Sequence, residues 1–103
     1  MDNPTFRLSH LDAVAGRLVL VADTLDADNA EQYLQVLCQM LDASVKEKQT
    51  DADLLSWLID FEGVALMLRA GHYSASVWIE TLGDEGQDEL VFLHSWLEKQ
   101  LAG

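Results

Sequence analysis

The stretch that decides the fold runs from residue 54 to residue 82: Leu54-Leu-Ser-Trp57-Leu-Ile-Asp-Phe61-Glu-Gly-Val64-Ala-Leu-Met-Leu-Arg-Ala-Gly71-His-Tyr-Ser-Ala-Ser-Val-Trp78-Ile-Glu-Thr-Leu82. It alternates with a period of two, which places successive side chains on opposite faces of a strand. Glu62-Gly63 and Gly71-His72 have the composition of two-residue hairpin turns. With both turns in place, Phe61 faces Val64, Ile59 faces Leu66, Trp57 faces Leu68 and Leu55 faces Ala70. The second hairpin sets Ala70 opposite Tyr73, Leu68 opposite Ala75, Leu66 opposite Val77 and Val64 opposite Ile79. One face of the meander is then wholly apolar. A slip of one residue at either turn moves every side chain of a strand to the other face and destroys this agreement.

The same register fixes the second face, which carries Ser56, Leu58 and Asp60, then Ala65, Met67 and Arg69, then Ser74, Ser76, Trp78 and Glu80, with Arg69 between Ser56 and Ser74. Leu58, Met67 and Trp78 are large apolar groups among polar ones. Such a patch marks a protein contact when nothing in the chain covers it. Leu58, Met67, Arg69, Trp78 and Glu80 are therefore the candidate interface residues. The competing expectation is that residues 1–12 close this face.

Outward from the meander, residues 5–11 and 17–22 read as two strands joined across Asp12–Gly16. The second is apolar on both faces, as in a covered or central strand. A helix follows, with Asp28 and Glu31 at capping-box spacing. Ala30, Tyr33, Leu34, Leu37, Leu41 and Val45 gather on one side of it, and Lys46 and Lys48 suit its C-terminal end. The polar stretch Glu47–Asp53 ends it. A last helix begins after Gly83, with Asp84, Glu85, Asp88 and Glu89 in its first turn and Leu90, Leu93, Leu97 and Leu101 as its core stripe. Phe92 and Trp96 lie one turn apart on its flank. The expected architecture is α+β: a five-stranded, mostly antiparallel sheet with both helices on one face, in the order ββ-α-βββ-α, as one domain over residues 1–103.

The chain has 103 residues, 18 acidic and 6 basic side chains and a formal charge of −12, yet half of its residues are hydrophobic. Area scaling gives roughly two-thirds of the surface buried on folding, enough core without disulfides or metal. Six cations spread as Arg7, Arg17, Lys46, Lys48, Arg69 and Lys99 form no patch, which argues against nucleic acid and anionic membranes as partners. One cysteine, Cys38, permits no internal disulfide. The N-terminus lacks a basic start and an apolar run, and no apolar stretch approaches the ~20 residues of a membrane span. A cytoplasmic protein is the expectation.

Candidate chemistry is sparse, and no catalytic residue, metal ligand, cofactor or small-molecule ligand is indicated. Asp60 and Glu80 share the second face with Arg69, but no pocket is evident around them for acid–base work. The acidic run Asp84–Glu89 does not match a calcium loop and fits helix N-terminal charge. His10, His72 and His94 lie in a strand, a turn and a helix flank without ligand spacing, and His94 with Glu98 makes an i,i+4 surface pair. Cys38 reads as a small buried hydrophobe with no basic neighbour in sequence. The helix–three strands–helix order of residues 28–101 matches a double-stranded RNA-binding domain in order alone, and the charge is wrong for that use.

Size, acidity, Leu54-Leu-Ser-Trp57 leading into Phe61-Glu-Gly-Val64, and Ser76-Val-Trp-Ile-Glu80 together resemble small uncharacterised bacterial families known only as domains of unknown function. That resemblance implies no activity. Secretion chaperones and toxin-immunity proteins are acidic proteins of similar size, although secretion chaperones normally open with a helix. The functional expectation is an acidic protein that works by protein–protein contact as a homodimer. The alternatives are an immunity or inhibitor protein for a basic partner, a secretion-type chaperone, and a small enzyme using surface carboxylates.

Overall fold

A computed structural model describes residues 5–51, 54–71 and 74–101. The elements are β1 (Arg7–Asp12), β2 (Arg17–Val21), α1 (Ala30–Leu41), β3 (Ser44–Asp51), β4 (Leu54–Phe61), β5 (Val64–Gly71), β6 (Ser76–Thr81) and α2 (Gln87–Leu101). The strands form one antiparallel sheet in the order β1-β2-β6-β5-β4-β3. The α+β class and the two helices agree with the sequence reading. The sheet has six strands rather than five, and the order is ββ-α-ββββ-α.

The extra strand is β3, where the sequence suggested the end of the first helix and a polar tail. The helix stops early because Asp42 takes a left-handed conformation, φ 55° and ψ 40°. The Ala43 N–H donates to the Cys38 carbonyl at 3.0 Å and the Asp42 N–H to the Gln39 carbonyl at 3.2 Å. These two bonds make a Schellman cap with Asp in the position usually held by Gly. Val45, at helical spacing from Leu41, therefore sits in a strand and is 38% exposed. All eight residues of β3 are exposed, so no buried alternation advertises the strand.

The start of α1 also differs from the capping-box expectation. Asn29 precedes the helix and makes no side-chain cap bond. The Asp26 carboxylate instead accepts the N–H groups of Asp28 and Asn29 at 2.8 and 2.9 Å. In α2, Asp88 and Glu89 occupy the first turn, whereas Asp84 and Glu85 lie before it beside an isolated Leu82–Glu85 bridge.

The β4–β5 hairpin has the expected register: Leu55–Ala70, Trp57–Leu68, Ile59–Leu66 and Phe61–Val64. Its turn residues Glu62 and Gly63 both have positive φ, 51° and 86°, the signature of a type I′ turn. The β5–β6 register is offset by four residues from the expectation: Ala70 pairs with Val77 and Leu68 with Ile79. The expected turn at Gly71-His72 and the Ala70–Tyr73 pair involve His72 and Tyr73, which lie outside the described residues. β6 begins only after Ala75, whose φ is 51°, and Gly71 pairs with Ser76. An offset of four is even, so the faces survive while the neighbours change.

The buried residues form one cluster between the helices and one sheet face. Leu34, Leu37, Leu90, Leu93 and Leu97 from the helices meet Leu18, Leu20, Trp57, Ile59, Leu66, Leu68 and Ile79, each at most 2% exposed. Burying side chains of this size stabilises by about 1.5–3 kcal/mol each before entropy is counted. Phe6 joins the same cluster and packs edge-on against Tyr33, ring centroids 5.4 Å apart. Leu8 and Leu11 of β1 pack against it from the same side. Residues 5–12 therefore extend the sheet edge and the helix-side core and do not cover the opposite face.

Candidate functional site

Alternation on the strands assigns the second face without ambiguity. Arg17, Val19 and Val21 of β2 lie opposite Glu80, Trp78 and Ser76 of β6. Glu80 and Trp78 in turn lie opposite Met67 and Arg69 of β5. Met67 and Arg69 face Leu58 and Ser56 of β4, and Leu58 faces Glu47 of β3. One row across the sheet thus reads Arg17-Glu80-Met67-Leu58-Glu47, and the next reads Val19-Trp78-Arg69-Ser56-Gln49. All five candidate interface residues fall on this one surface, on three neighbouring strands. Arg69 stands between Ser56 and Trp78 rather than between Ser56 and Ser74, because of the four-residue offset.

Leu58, Met67 and Trp78 are half-buried by their neighbours, while the same positions one residue along each strand are sealed under the helices. Val19, Val21 and Leu54 extend the apolar area and are also half-buried. Trp78 lies over Gly71: a Cβ added there would meet the indole at 3.6 Å. A glycine on one strand thus gives the aromatic ring of its neighbour a place to rest.

Glu80 organises the polar part of the face. Its Oε1 accepts the Trp78 Nε1–H at 2.5 Å, lies 3.4 Å from Arg69 Nε and 3.9 Å from Arg17 Nε. Arg69 Nε is buried and makes no hydrogen bond, so the Arg69–Glu80 contact is ionic without hydrogen-bond geometry. At the margins, Lys46 pairs with Asp60 at 3.9 Å, and Arg7 pairs in bidentate fashion with Asp23 at 3.0 and 3.1 Å, which raises the Arg7 pKa. Asp60 and Glu80 do not meet: β5 lies between them, two strand spacings or about 10 Å.

Charge is divided unevenly over the molecule. The strand residues of this face hold four of the six cations, Arg7, Arg17, Lys46 and Arg69, with the carboxylates Asp12, Glu47, Asp51, Asp60 and Glu80. The rest of the chain carries thirteen carboxylates against Lys48 and Lys99.

The remaining candidates stay apart. His94 Nδ1 lies 3.8 Å from Glu98 on α2 and His10 is exposed on β1, while His72 lies outside the described residues. Among the described residues no group of three His, Cys, Asp or Glu side chains is placed to hold a metal. Cys38 is buried, and desolvation pushes its thiol up to about 11 against a smaller opposing pull from Lys48. Sequence distance hid Lys48, which β3 brings beside α1, 3.6 Å from Glu31 and 4.4 Å above the Trp57 ring. On the helix side, Phe92 is 53% exposed and stacks on Phe61 at 6.2 Å, bordering a depression with Met40, Trp96, Asp42 and Glu62.

The sequence reading omitted Val19 and Val21 from the face. The signal was present in Arg17-Leu-Val-Leu-Val21, whose two-sided apolarity fits a central or covered strand: β2 is central, between β1 and β6, and Val19 and Val21 lie on its open side. No helix among the described residues is long and apolar enough to cross a membrane.

A family model described as "Protein of unknown function (DUF3630)" matches residues 6–98. This agrees with the resemblance drawn from the sequence. No curated protein and no solved structure matches the chain.

Proposed function

The chain belongs to the DUF3630 family, whose description assigns no activity, and from its geometry we propose that it works by binding another protein through the open face of its sheet. The observation that carries this reading is the set of apolar residues Val19, Trp78, Met67 and Leu58 on four neighbouring strands of a face that neither helix nor residues 5–12 cover. Apolar side chains left only half-buried on one face mark a surface that a partner can cover.

The sheet edges support the face as the contact surface. Both edge strands carry a register break, between Leu8 and His10 in β1 and between Val45 and Glu47 in β3. Bulges and charged side chains blunt strand addition at an edge. A chaperone that captured an extended peptide by edge pairing would need the opposite. The excess of carboxylates speaks against nucleic acid and anionic membranes as partners. A reducing cytoplasm suits the single buried thiol.

A photo-crosslinking amino acid at position 67, compared with one at position 98 on α2, tests the reading in cells that make the protein. Covalent protein adducts are expected at 67, fewer at 98, and loss of the adducts at 67 when Trp78→Asp is added. Equal or heavier labelling at 98 contradicts it.

A further inference from the structure

We infer that the partner on the open sheet face is a second copy of this chain, and that the pairing tightens as salt is added. The inference rests on the reading of the face as a contact surface and names its occupant from the division of charge.

In a chain of formal charge −12, the strand residues of this face sum to a single negative charge. Its four cations are each in an ion pair: Arg7–Asp23 at 3.0 Å, Arg17–Glu80 at 3.9 Å, Lys46–Asp60 at 3.9 Å and Arg69–Glu80 at 3.4 Å. A two-fold contact places a patch against its own copy, so the patch must be complementary to itself. A face of one sign repels its copy; a near-balanced face with an apolar centre does not. A strongly basic partner would meet Arg17, Arg69 and Lys46 here and find its carboxylates elsewhere on the molecule. A strongly acidic partner would be repelled by the whole chain. A near-neutral surface with an apolar centre suits this face, and the same face of another copy has that composition.

The footprint sets the expected strength. Six strands about 4.8 Å apart and central strands of about 26 Å give a flat area of roughly 600 Å², below the ~800 Å² per partner of a standard stable complex. A footprint of this size fits a weak, reversible pairing. The carboxylates outside the face of each copy repel at long range, over about 30 Å at 0.01 M salt and about 10 Å at 0.1 M. Salt removes this repulsion and leaves the apolar contact, so affinity rises with ionic strength. Attraction to a basic partner has the opposite sign.

Sedimentation velocity over about 5–200 µM protein, a range spanning micromolar affinity, at low and at about 0.3 M NaCl, tests this. The wild type should shift from monomer to dimer, with a dissociation constant at least about tenfold lower in high salt. Trp78→Asp and Met67→Lys, each checked for wild-type circular dichroism, should weaken the dimer tenfold or more, and Glu98→Lys on α2 should not. Met67 is half-buried and outside the core, so its variant remains informative if Trp78→Asp fails to fold. A wild type that stays monomeric throughout overturns the self-pairing and leaves the contact face to the crosslinking experiment. A dimer loosened by salt also overturns it. A dimer indifferent to both face variants overturns the pairing through this face and leaves the contact face to the crosslinking experiment.

Discussion

Trp78 and Glu80 stand two residues apart on one face of β6, and the indole Nε1 donates to the Glu80 carboxylate at 2.5 Å. The same oxygen faces Arg69 at 3.4 Å and Arg17 at 3.9 Å. One carboxylate therefore holds the largest apolar side chain of the open face and is shared between two cations beside it. Glu80→Ala should release all three groups and cost about 1–2 kcal/mol, as for hydrogen bonds to a partly buried charge. Urea denaturation would give the loss, and the near-ultraviolet circular dichroism of Trp78 should weaken with it. An unchanged midpoint and spectrum would show that Glu80 does not organise the face.

Gly16 closes the β1–β2 connection next to the end of β6, where Arg17 pairs with Glu80. Its φ is +70°, its carbonyl accepts the Thr81 N–H at 3.0 Å, and a Cβ there would lie 2.3 Å from Thr81 Oγ1. Gly16→Ala should cost about 1–3 kcal/mol from backbone strain and overlap together. Adding Thr81→Ala should recover only the overlap, leaving a stability between wild type and the single variant. Full recovery would mean that the left-handed backbone costs nothing.

The sequence made the β4–β5 hairpin legible because Glu62-Gly63 carries a turn signal and the flanking residues alternate. It made the two faces of β6 legible but not its neighbours, because an even offset preserves every inside–outside assignment. β3 was illegible for a physical reason. An edge strand exposed at every position has no hydrophobic period, and Val45 happens to fall at helical spacing from Leu41. The break at Asp42 had no Gly to announce it, since Asp is among the few residues that enter the left-handed region at modest cost. The five interface candidates were legible as a set because they depend only on parity. The hub at Glu80 was not, because it depends on which strand residues stand opposite.

Cys38 gives a pH dependence with a definite sign. Burial raises its thiol from the ordinary 9.0 to about 11. The folded state holds this proton more tightly than the unfolded chain does. The resulting stability is full below about pH 9 and is lost as pH rises through about 11. The stability difference between wild type and Cys38→Ala should therefore be flat to about pH 8.5 and then fall, by at most about 1.4 kcal/mol per pH unit. Denaturation curves of both proteins across pH 7–11 check this; a constant difference would place the thiol in contact with water.

Hydroxyl-radical footprinting as a function of protein concentration reads the side chains of the open face directly. Met67 and Trp78 should lose reactivity as concentration rises through the micromolar range, while Phe92 on the helix side keeps its own. Protection of Phe92 in place of Met67 and Trp78, or no concentration dependence at any of the three, would contradict a self-association built on the open sheet face.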